Sequence, residues 1–179
     1  MRTFALVSLL VLIAAPAALA MDTSQIAWFA HGGISMPTGD FGDVAGMGFG
    51  GGVGGMMPYN ETINLRGQVG YTYYGGKDEE VLGVDWSWNW SMIPIWFMGE
   101  YMFDPAIYGV GGLGFVMARS SFEYEDPWSG QTIDDDSSDT EFGFTFGAGY
   151  RMSEVLNLEA RYSIVDDFNY FSAEAVYYF

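Results

Sequence analysis

The chain has no cysteine, so no disulfide can stabilise its fold in any compartment. Bases are scarce: 6 lysines and arginines stand against 23 aspartates and glutamates, a formal net charge of -17. Because phosphate binding needs a basic surface, we expect no nucleic-acid partner. After residue 20, no apolar run approaches the roughly 20 residues that a transmembrane helix needs. The fold must therefore be stabilised either by side-chain packing or by insertion into a membrane without transmembrane helices.

The N-terminus has the pattern of an export signal. Arg2 is followed by an apolar run over residues 4–15 and then by Ala18-Leu19-Ala20, which fits signal peptidase cleavage. The sequence therefore predicts a signal peptide over residues 1–20 and one domain over residues 21–179.

Apolar and polar residues alternate with period two in several segments, which is the pattern of strands between two environments. In residues 142–152, bulky apolar side chains occupy one face, and glycine, threonine and arginine occupy the other. Residues 62–74, 156–164 and 169–179 follow the same rule. A soluble sheet would bury its bulky face, but here the polar face is too small and too charged to exclude water. Apolar-out, polar-in alternation is typical of an outer-membrane barrel.

Strand counting predicts an all-β fold, an eight-stranded antiparallel transmembrane β-barrel, whose closure satisfies every backbone polar group in lipid. The alternation changes phase near Pro94, and we expect a bulge there to restore the outward face. The pattern does not assign the faces of the fifth predicted strand, residues 106–119. The predicted strands cover residues 26–36, 46–57, 62–74, 84–103, 106–119, 142–152, 156–164 and 169–179.

Links between the strands alternate in length. Short turns at 59–61, 104–105 and 153–155 alternate with longer links at 37–45, 75–83, 120–141 and 165–168. If both termini are periplasmic, the longer links face the outside of the cell.

These features resemble the small outer-membrane β-barrel family, the OmpA-like and OmpX-like proteins. The resemblance rests on PTGDFGDVAGMGFGGGVGG after the first strand, on YGVGGLGF, and on the terminal AEAVYYF. It implies the outer membrane of a Gram-negative type bacterium, with lipid and lipopolysaccharide as surroundings. In this family a terminal aromatic residue is recognised by the barrel-assembly machinery, which implies that role for Phe179.

The glycine-rich stretch GMGFGGGVGG, residues 46–55, matches the dinucleotide motif G-x-G-x-x-G twice, and residues 109–114 match it once more. In a dinucleotide-binding unit the motif ends a strand and begins a helix. No helical period follows either stretch, so we interpret these glycines as small residues within a narrow barrel.

Six charged residues fall on the predicted inward face, and buried charges are tolerated only when they are paired. Three arginines and three carboxylates predict an ion-pair network that fills the lumen. The network either plugs the barrel or rearranges to open a small gated pore or transporter. Its predicted members are Arg66, Glu100, Arg151, Glu159, Arg161 and Glu174.

The single histidine, His31, has inward parity. Some eight-stranded barrels modify lipid A with a histidine and a serine, so a lipid A-modifying enzyme is a third hypothesis. Ser35 shares the strand with His31, but four residues separate them by about 13 Å, too far for a nucleophile and its base. We expect no catalytic residue and no enzymatic activity.

The longer links are acidic, and residues 120–141 are the most acidic of them. Residues 134–141, DDDSSDTE, lack the ligand spacing and fixed glycine of a calcium-binding loop, so we expect no metal site and no cofactor. The links either form a solvated surface that discourages association, or bind a surface ligand such as a basic partner or bridging cations. The expected function is non-enzymatic, structural or surface-interactive.

Overall fold

The computed structural model describes residues 25–76, 79–81, 84–125 and 132–179. The predicted signal peptide lies outside these residues. One short helix, α1 (Asp40–Val44), is found in the described part of the chain. The strands are β1 (Ala27–Pro37), β2 (Ala45–Pro58), β3 (Ile63–Gly76), β4 (Glu79–Val81), β5 (Val84–Met102), β6 (Ile107–Glu125), β7 (Thr132–Arg151), β8 (Leu156–Val165) and β9 (Tyr170–Tyr178).

Eight of these strands close into an antiparallel barrel, which confirms the predicted fold class. The ring runs β3-β2-β1-β9-β8-β7-β6-β5, and a pairing between β3 and β5 closes it. Short β4 stands outside the ring and forms a hairpin with β5. A closed ring leaves no sheet edge unpaired, as lipid requires.

The two ends of the barrel differ. Three short turns and the C-terminus lie at one end, here named the turn end, and the longer links lie at the other, the loop end. In each turn the side chain of Asn60, Asp104 or Ser153 accepts hydrogen bonds from the backbone N–H groups two and three residues later. Short polar side chains of this kind favour turns because they replace a backbone acceptor.

Outward-facing side chains are apolar and aromatic along the barrel, as the alternation predicts. More than half of the surface of each of several large ones is exposed, as suits contact with lipid rather than with a protein core. They include Trp28, Phe49, Phe144, Tyr150 and Tyr177.

The bulge predicted at Pro94 is wrong. Val69 pairs with Ile95 and Thr72 with Met92, so the register is the same on both sides of the proline. Met92 is inward and buried although it is apolar. Both faces of this part of β5 are apolar, so the alternation of apolar and polar residues is lost there and the sequence looks as if the strand had changed phase.

The structure assigns the faces of β6, which the sequence pattern leaves open. Tyr108, Val110, Val116 and Ala118 are buried and point inward. The intervening odd-numbered residues point outward, among them Leu113. Residues of one parity therefore line the lumen along the strand.

Two predicted loops contain regular structure. Residues 120–141 are not a loop throughout, because the β6–β7 ladder continues without a shift to the pair Glu125–Thr132. The link over residues 37–45 contains α1, which begins after Gly39 with a φ of 63°. That left-handed conformation favours glycine. Within the described ranges, no helix is long and apolar enough to cross a membrane.

Candidate functional site: the barrel lumen

The lumen contains two regions of opposite chemistry. The charged half, towards the turn end, contains Arg66, Glu100, Glu159, Arg161 and Glu174, which are linked by ion pairs. The apolar half, towards the loop end, contains Phe41, Tyr74, Met92, Trp96, Val116, Ala118, Val165 and Tyr170.

Arg66 forms the first centre of the charged half. Its Nη1 is 3.2 Å from Glu100 Oε1 and also forms an ion pair with Glu159. β3 and β8 lie on opposite walls of the ring, so the pair with Glu159 spans the lumen. The guanidinium carbon of Arg66 lies 4.4 Å from the centre of the Phe29 ring. A cation over an aromatic face gains electrostatic stabilisation where water is excluded.

Arg161 forms the second centre. Its Nη2 is 2.5 Å from Glu174 Oε1, and its Nε is 3.6 Å from Glu159 Oε2. His31 Nδ1 lies 2.9 Å from the other oxygen of Glu174. Glu159 therefore joins the Arg66 centre to the Arg161 centre, and His31 extends the chain of charged and polar groups to β1.

Neutral side chains complete the charged half. Tyr108 donates its hydroxyl proton to Glu159 Oε1 at 2.8 Å, and Asn157 donates to the Tyr108 oxygen at 3.2 Å. Asn64 Nδ2 lies 3.5 Å from Glu100 Oε2. The sequence reasoning did not identify these three residues. Asn64 and Asn157 each stand two residues before a predicted lumen charge, so strand parity could have found them.

Arg151 was predicted to belong to the network, but it forms no ion pair with a carboxylate of the described residues. It ends β7 and pairs with Asn157, one layer closer to the turn end than Glu159. There it lines an open mouth of about 530 Å³, with its guanidinium carbon 5.9 Å from the centre of the Tyr108 ring. The other five predicted residues lie together in the lumen.

The apolar half is closed by an aromatic side chain from the loop-end link. Phe41 of α1 is 2% exposed and packs edge-on against Tyr74, Trp90 and Phe168, with ring centroids 5.1, 5.7 and 5.5 Å away. The Ser35 and Tyr74 hydroxyls are 2.7 Å apart. A helix of five residues is too short to show a period in the sequence, which is why this contact was missed.

Glycines on β2 make room for these side chains. Its inward positions in the middle of the strand are Gly48, Gly50, Gly52 and Gly54. A Cβ atom on Gly48 would lie 2.5 Å from Tyr74 Cδ1, and one on Gly52 would lie 2.6 Å from His31 Nε2. The glycine repeats therefore accommodate rings from neighbouring strands, and β2 continues as a strand to Pro58 without the helix of a dinucleotide site.

His31 lies next to a small cavity between the two halves. The cavity measures about 20 Å³, enough for a single water molecule. His31 Nε2 and Gln68 Oε1 have no hydrogen-bond partner in the described part of the protein. Ser35 also lines the cavity, but its hydroxyl is paired with Tyr74. Among the described residues, no group of acidic, histidine or cysteine side chains is arranged to hold a metal ion.

Phe179 lies at the turn end, where the first and last strands meet. Its backbone N–H donates to the Trp28 carbonyl at 3.1 Å, and 76% of the residue is exposed. The terminal ring is therefore accessible on the outside of the barrel.

A closed antiparallel barrel of eight strands, with an apolar and aromatic outer surface and charged groups in part of its interior, defines the class of transmembrane outer-membrane barrels. The chain belongs to the outer membrane protein beta-barrel domain family, whose model matches residues 4–179. The protein is thus located in the bacterial outer membrane. No curated protein matches the chain in sequence.

Two solved structures show the same architecture. Ail, the attachment invasion locus protein of Yersinia pestis, in complex with the heparin analogue sucrose octasulfate, is 15% identical with a TM-score of 0.59. The match covers 86% of this chain and 97% of Ail. Neisserial surface protein A is 17% identical with a TM-score of 0.56, covering 87% of this chain and 97% of that one. At these identities the likeness shows the fold alone.

Proposed function

We propose that the protein is a closed, non-enzymatic outer-membrane barrel with a structural or surface-interaction role. The observation that carries this proposal is the apolar half of the lumen. Phe41 and Trp96 are each 2% exposed there, and Tyr74 is fully buried. Large side chains buried to this extent fill the space between the strands, and this supports a lumen that is closed to water and ions.

In this proposal the charged half is a structural network. Arg66, Glu100 and Glu159 have side chains with no exposed surface. Charges buried this deeply are tolerated when paired, and removing one partner leaves an uncompensated charge. The network therefore resists rearrangement, as a plug should.

The position of His31 supports the absence of enzymatic activity. Its Nδ1 lies 2.9 Å from Glu174 Oε2, and the serine on its own strand is paired with Tyr74. A nucleophile and its base must lie within hydrogen-bond reach of each other. His31 is also enclosed within the barrel, away from the rim where a lipid substrate would be reached.

The orientation follows from the lengths of the links. We place the turn end and both termini in the periplasm and the loop end outside the cell, as is general for bacterial barrels. Phe179 is then presented to the assembly machinery on the periplasmic side.

The acidic links are the proposed contact surface for a ligand. Residues 120–141 contain eight carboxylate residues and no lysine or arginine. Ail has been crystallised with a heparin analogue, which is a polyanion. Repulsion between like charges makes a polyanion a poor ligand for this surface, so we expect a cationic partner or bridging divalent cations.

A small gated pore is the alternative function. It is favoured by the open mouth of about 530 Å³ at the turn end, which leads towards Arg151 and the charged half. For conduction, the apolar half would have to open as well.

Planar-bilayer recording of the refolded mature chain separates the two functions. We expect no discrete current steps from the unaltered protein. Phe41→Ala removes the aromatic side chain that closes the loop end, and we expect it to increase leak current. Phe103→Ala is the matched control, because Phe103 is exposed at the turn end.

Discrete openings of the unaltered protein that change with Glu159→Gln or Arg161→Gln would overturn the closed barrel and establish the pore. Folding of every variant is checked first by circular dichroism, so that a silent bilayer reports on the lumen.

A further inference from the structure

Two buried polar side chains line the small cavity between the two halves of the lumen. They are His31 and Gln68, and the cavity of about 20 Å³ has room for one molecule of the size of water. The His31 side chain and Gln68 are each 5% exposed. Among the described residues, neither His31 Nε2 nor Gln68 Oε1 has a hydrogen-bond partner. Buried polar atoms are nearly always satisfied in folded proteins, so these two atoms call for a partner.

Glycines on β2 and β3 bring the His31 ring close to β3. His31 pairs with Gly52, and Gly52 pairs in turn with Gly70. A Cβ atom on Gly52 would lie 2.6 Å from His31 Nε2, and one on Gly70 would lie 3.4 Å from His31 Cε1. The Nε2 edge of the ring therefore points across β2 towards β3. Gln68 is the inward residue next to Gly70 on that strand.

The chemistry of the two atoms defines what can join them. Glu174 Oε2 lies 2.9 Å from His31 Nδ1, and a carboxylate oxygen only accepts hydrogen bonds. This contact favours a neutral ring with its proton on Nδ1, which leaves Nε2 as an acceptor. Gln68 Oε1 is also an acceptor. Two acceptors cannot bond each other, so the joining molecule must have two donor hydrogens and must fit the small cavity.

We propose that one water molecule occupies this cavity and bridges His31 Nε2 to Gln68 Oε1. With a neutral ring the water donates to both atoms. With a doubly protonated ring it accepts from Nε2 and donates to Oε1, so the bridge holds in either charge state. The hydroxyls of Thr72 and Ser172 also line the cavity and offer further contacts. Buried waters typically make about three hydrogen bonds, and the site offers that number.

The water closes a ring of polar groups around the lumen. The ring begins on β3 and crosses to β8 by the ion pair of Arg66 with Glu159. The ion pairs of the second arginine centre continue it through β9 to His31 on β1. The water returns it to β3, because Gln68 stands two residues after Arg66 on the inward face. The bridge therefore joins β1 to β3 across the inward glycines of β2, whether or not the lumen conducts.

Solution NMR of the refolded mature chain, without an affinity tag and in detergent micelles, tests the bridge. His31 is the only histidine of the sequence, so selective histidine labelling gives the signals of one imidazole ring. The Hε1 proton of the ring is bonded to the carbon next to Nε2 and does not exchange rapidly with solvent. The measurement is the cross-peak between Hε1 and water in laboratory-frame and rotating-frame NOE spectra, whose signs together identify a long-lived bound water.

Two variants of nearly unchanged side-chain volume accompany the unaltered protein. Gln68→Met removes the proposed acceptor on β3. Thr72→Val is the matched control on the same strand, because it removes a cavity hydroxyl that could relay magnetisation to water. Each spectrum is recorded with and without ammonium chloride, since ammonium is another small molecule that donates to two acceptors. Circular dichroism verifies the folding of each variant.

We expect the cross-peak of a long-lived water in the unaltered protein and in Thr72→Val, at the same intensity with ammonium present. Gln68→Met should lose it, because the water then lacks one of its two partners. The proposal fails if the folded, unaltered protein gives no such cross-peak, or if Gln68→Met keeps it at full intensity. Loss in Thr72→Val would assign the signal to a hydroxyl, and displacement by ammonium would make that cation the ligand instead of water.

Discussion

The charged half and the apolar half of the lumen are built on the same strands but are stabilised by different forces. In the charged half, the stabilisation from the ion pair between Arg66 and Glu159 depends on the direction and distance of the two groups, because each buried charge needs its partner. In the apolar half, the stabilisation from packing of Phe41 and Trp96 depends on the volume and shape of the side chains. A narrow barrel can therefore fill its interior in two ways, with paired charges or with packed rings, and each is weakened by a different kind of substitution.

The difference also divides the possible roles of the two halves. The charged half contains buried polar atoms that have no hydrogen-bond partner in the described chain. Arg66 Nε is one of them. Such atoms attract water, whereas a packed aromatic cluster excludes it. In the proposed closed barrel the apolar half is therefore the seal, and the charged half is the part that can hydrate from the turn end.

The largest expected effect is on the charged half. Glu159→Gln should lower the free energy of unfolding by about 3 kcal/mol, because the buried guanidiniums of Arg66 and Arg161 lose a shared counter-charge. Urea unfolding of the refolded barrel in lipid vesicles, followed by tryptophan fluorescence, measures the change. Glu154→Gln is the control, since Glu154 is exposed at the turn end. If the two variants lower the free energy of unfolding equally, the ion-pair network does not stabilise the barrel more than an exposed carboxylate does.

A smaller effect is expected where ring packing in the apolar half needs a glycine. Gly48→Ala should destabilise the barrel by about 1–3 kcal/mol, because overpacking forces neighbours to shift. Its Cβ would lie 2.5 Å from Tyr74 Cδ1 and 2.9 Å from the Tyr73 carbonyl oxygen. Gly99→Ala is the matched control, because a Cβ there meets no atom within 4 Å. If both variants unfold at the same urea concentration, close packing over β2 is not what requires glycine.

The smallest expected effect comes from a single hydroxyl in the apolar half. Tyr74→Phe should cost about 1 kcal/mol, because the buried Ser35 hydroxyl loses its partner. Tyr150→Phe is the control, since more than half of Tyr150 is exposed on the outer surface. The same urea titration applies. A cost for Tyr74→Phe as large as that of Glu159→Gln would mean that the apolar half also depends on directed polar contacts.

Strand parity was enough to predict most of the charged half. Glu159 and Arg161 stand two residues apart on β8, and both point inward. A strand has only two faces, so one apolar face fixes the direction of every other side chain. Parity does not say which charges meet. For that reason it predicts Arg151 as a member of the network, although Arg151 lies one layer closer to the turn end than Glu159.

The apolar half was largely hidden from the sequence. Met92 and Trp96 are apolar residues on the inward face of β5, so the contrast between the two faces disappears there. The sequence pattern then predicts a bulge at Pro94 that the structure does not contain. Phe41 lies on a five-residue helix in a link, where no period reveals a buried side chain. Sequence pattern detects a difference between faces and has no signal where both are apolar.

The sequence by itself determined the closed eight-stranded barrel and the outward face of most of its strands, because lipid admits only structures that pair every backbone polar group and expose apolar side chains. The tertiary structure alone decided that Glu159 joins two arginine centres and that Phe41 packs against Tyr74 at the loop end. These contacts depend on the register of strands distant in sequence and on side-chain volumes across the ring, which local periodicity does not contain.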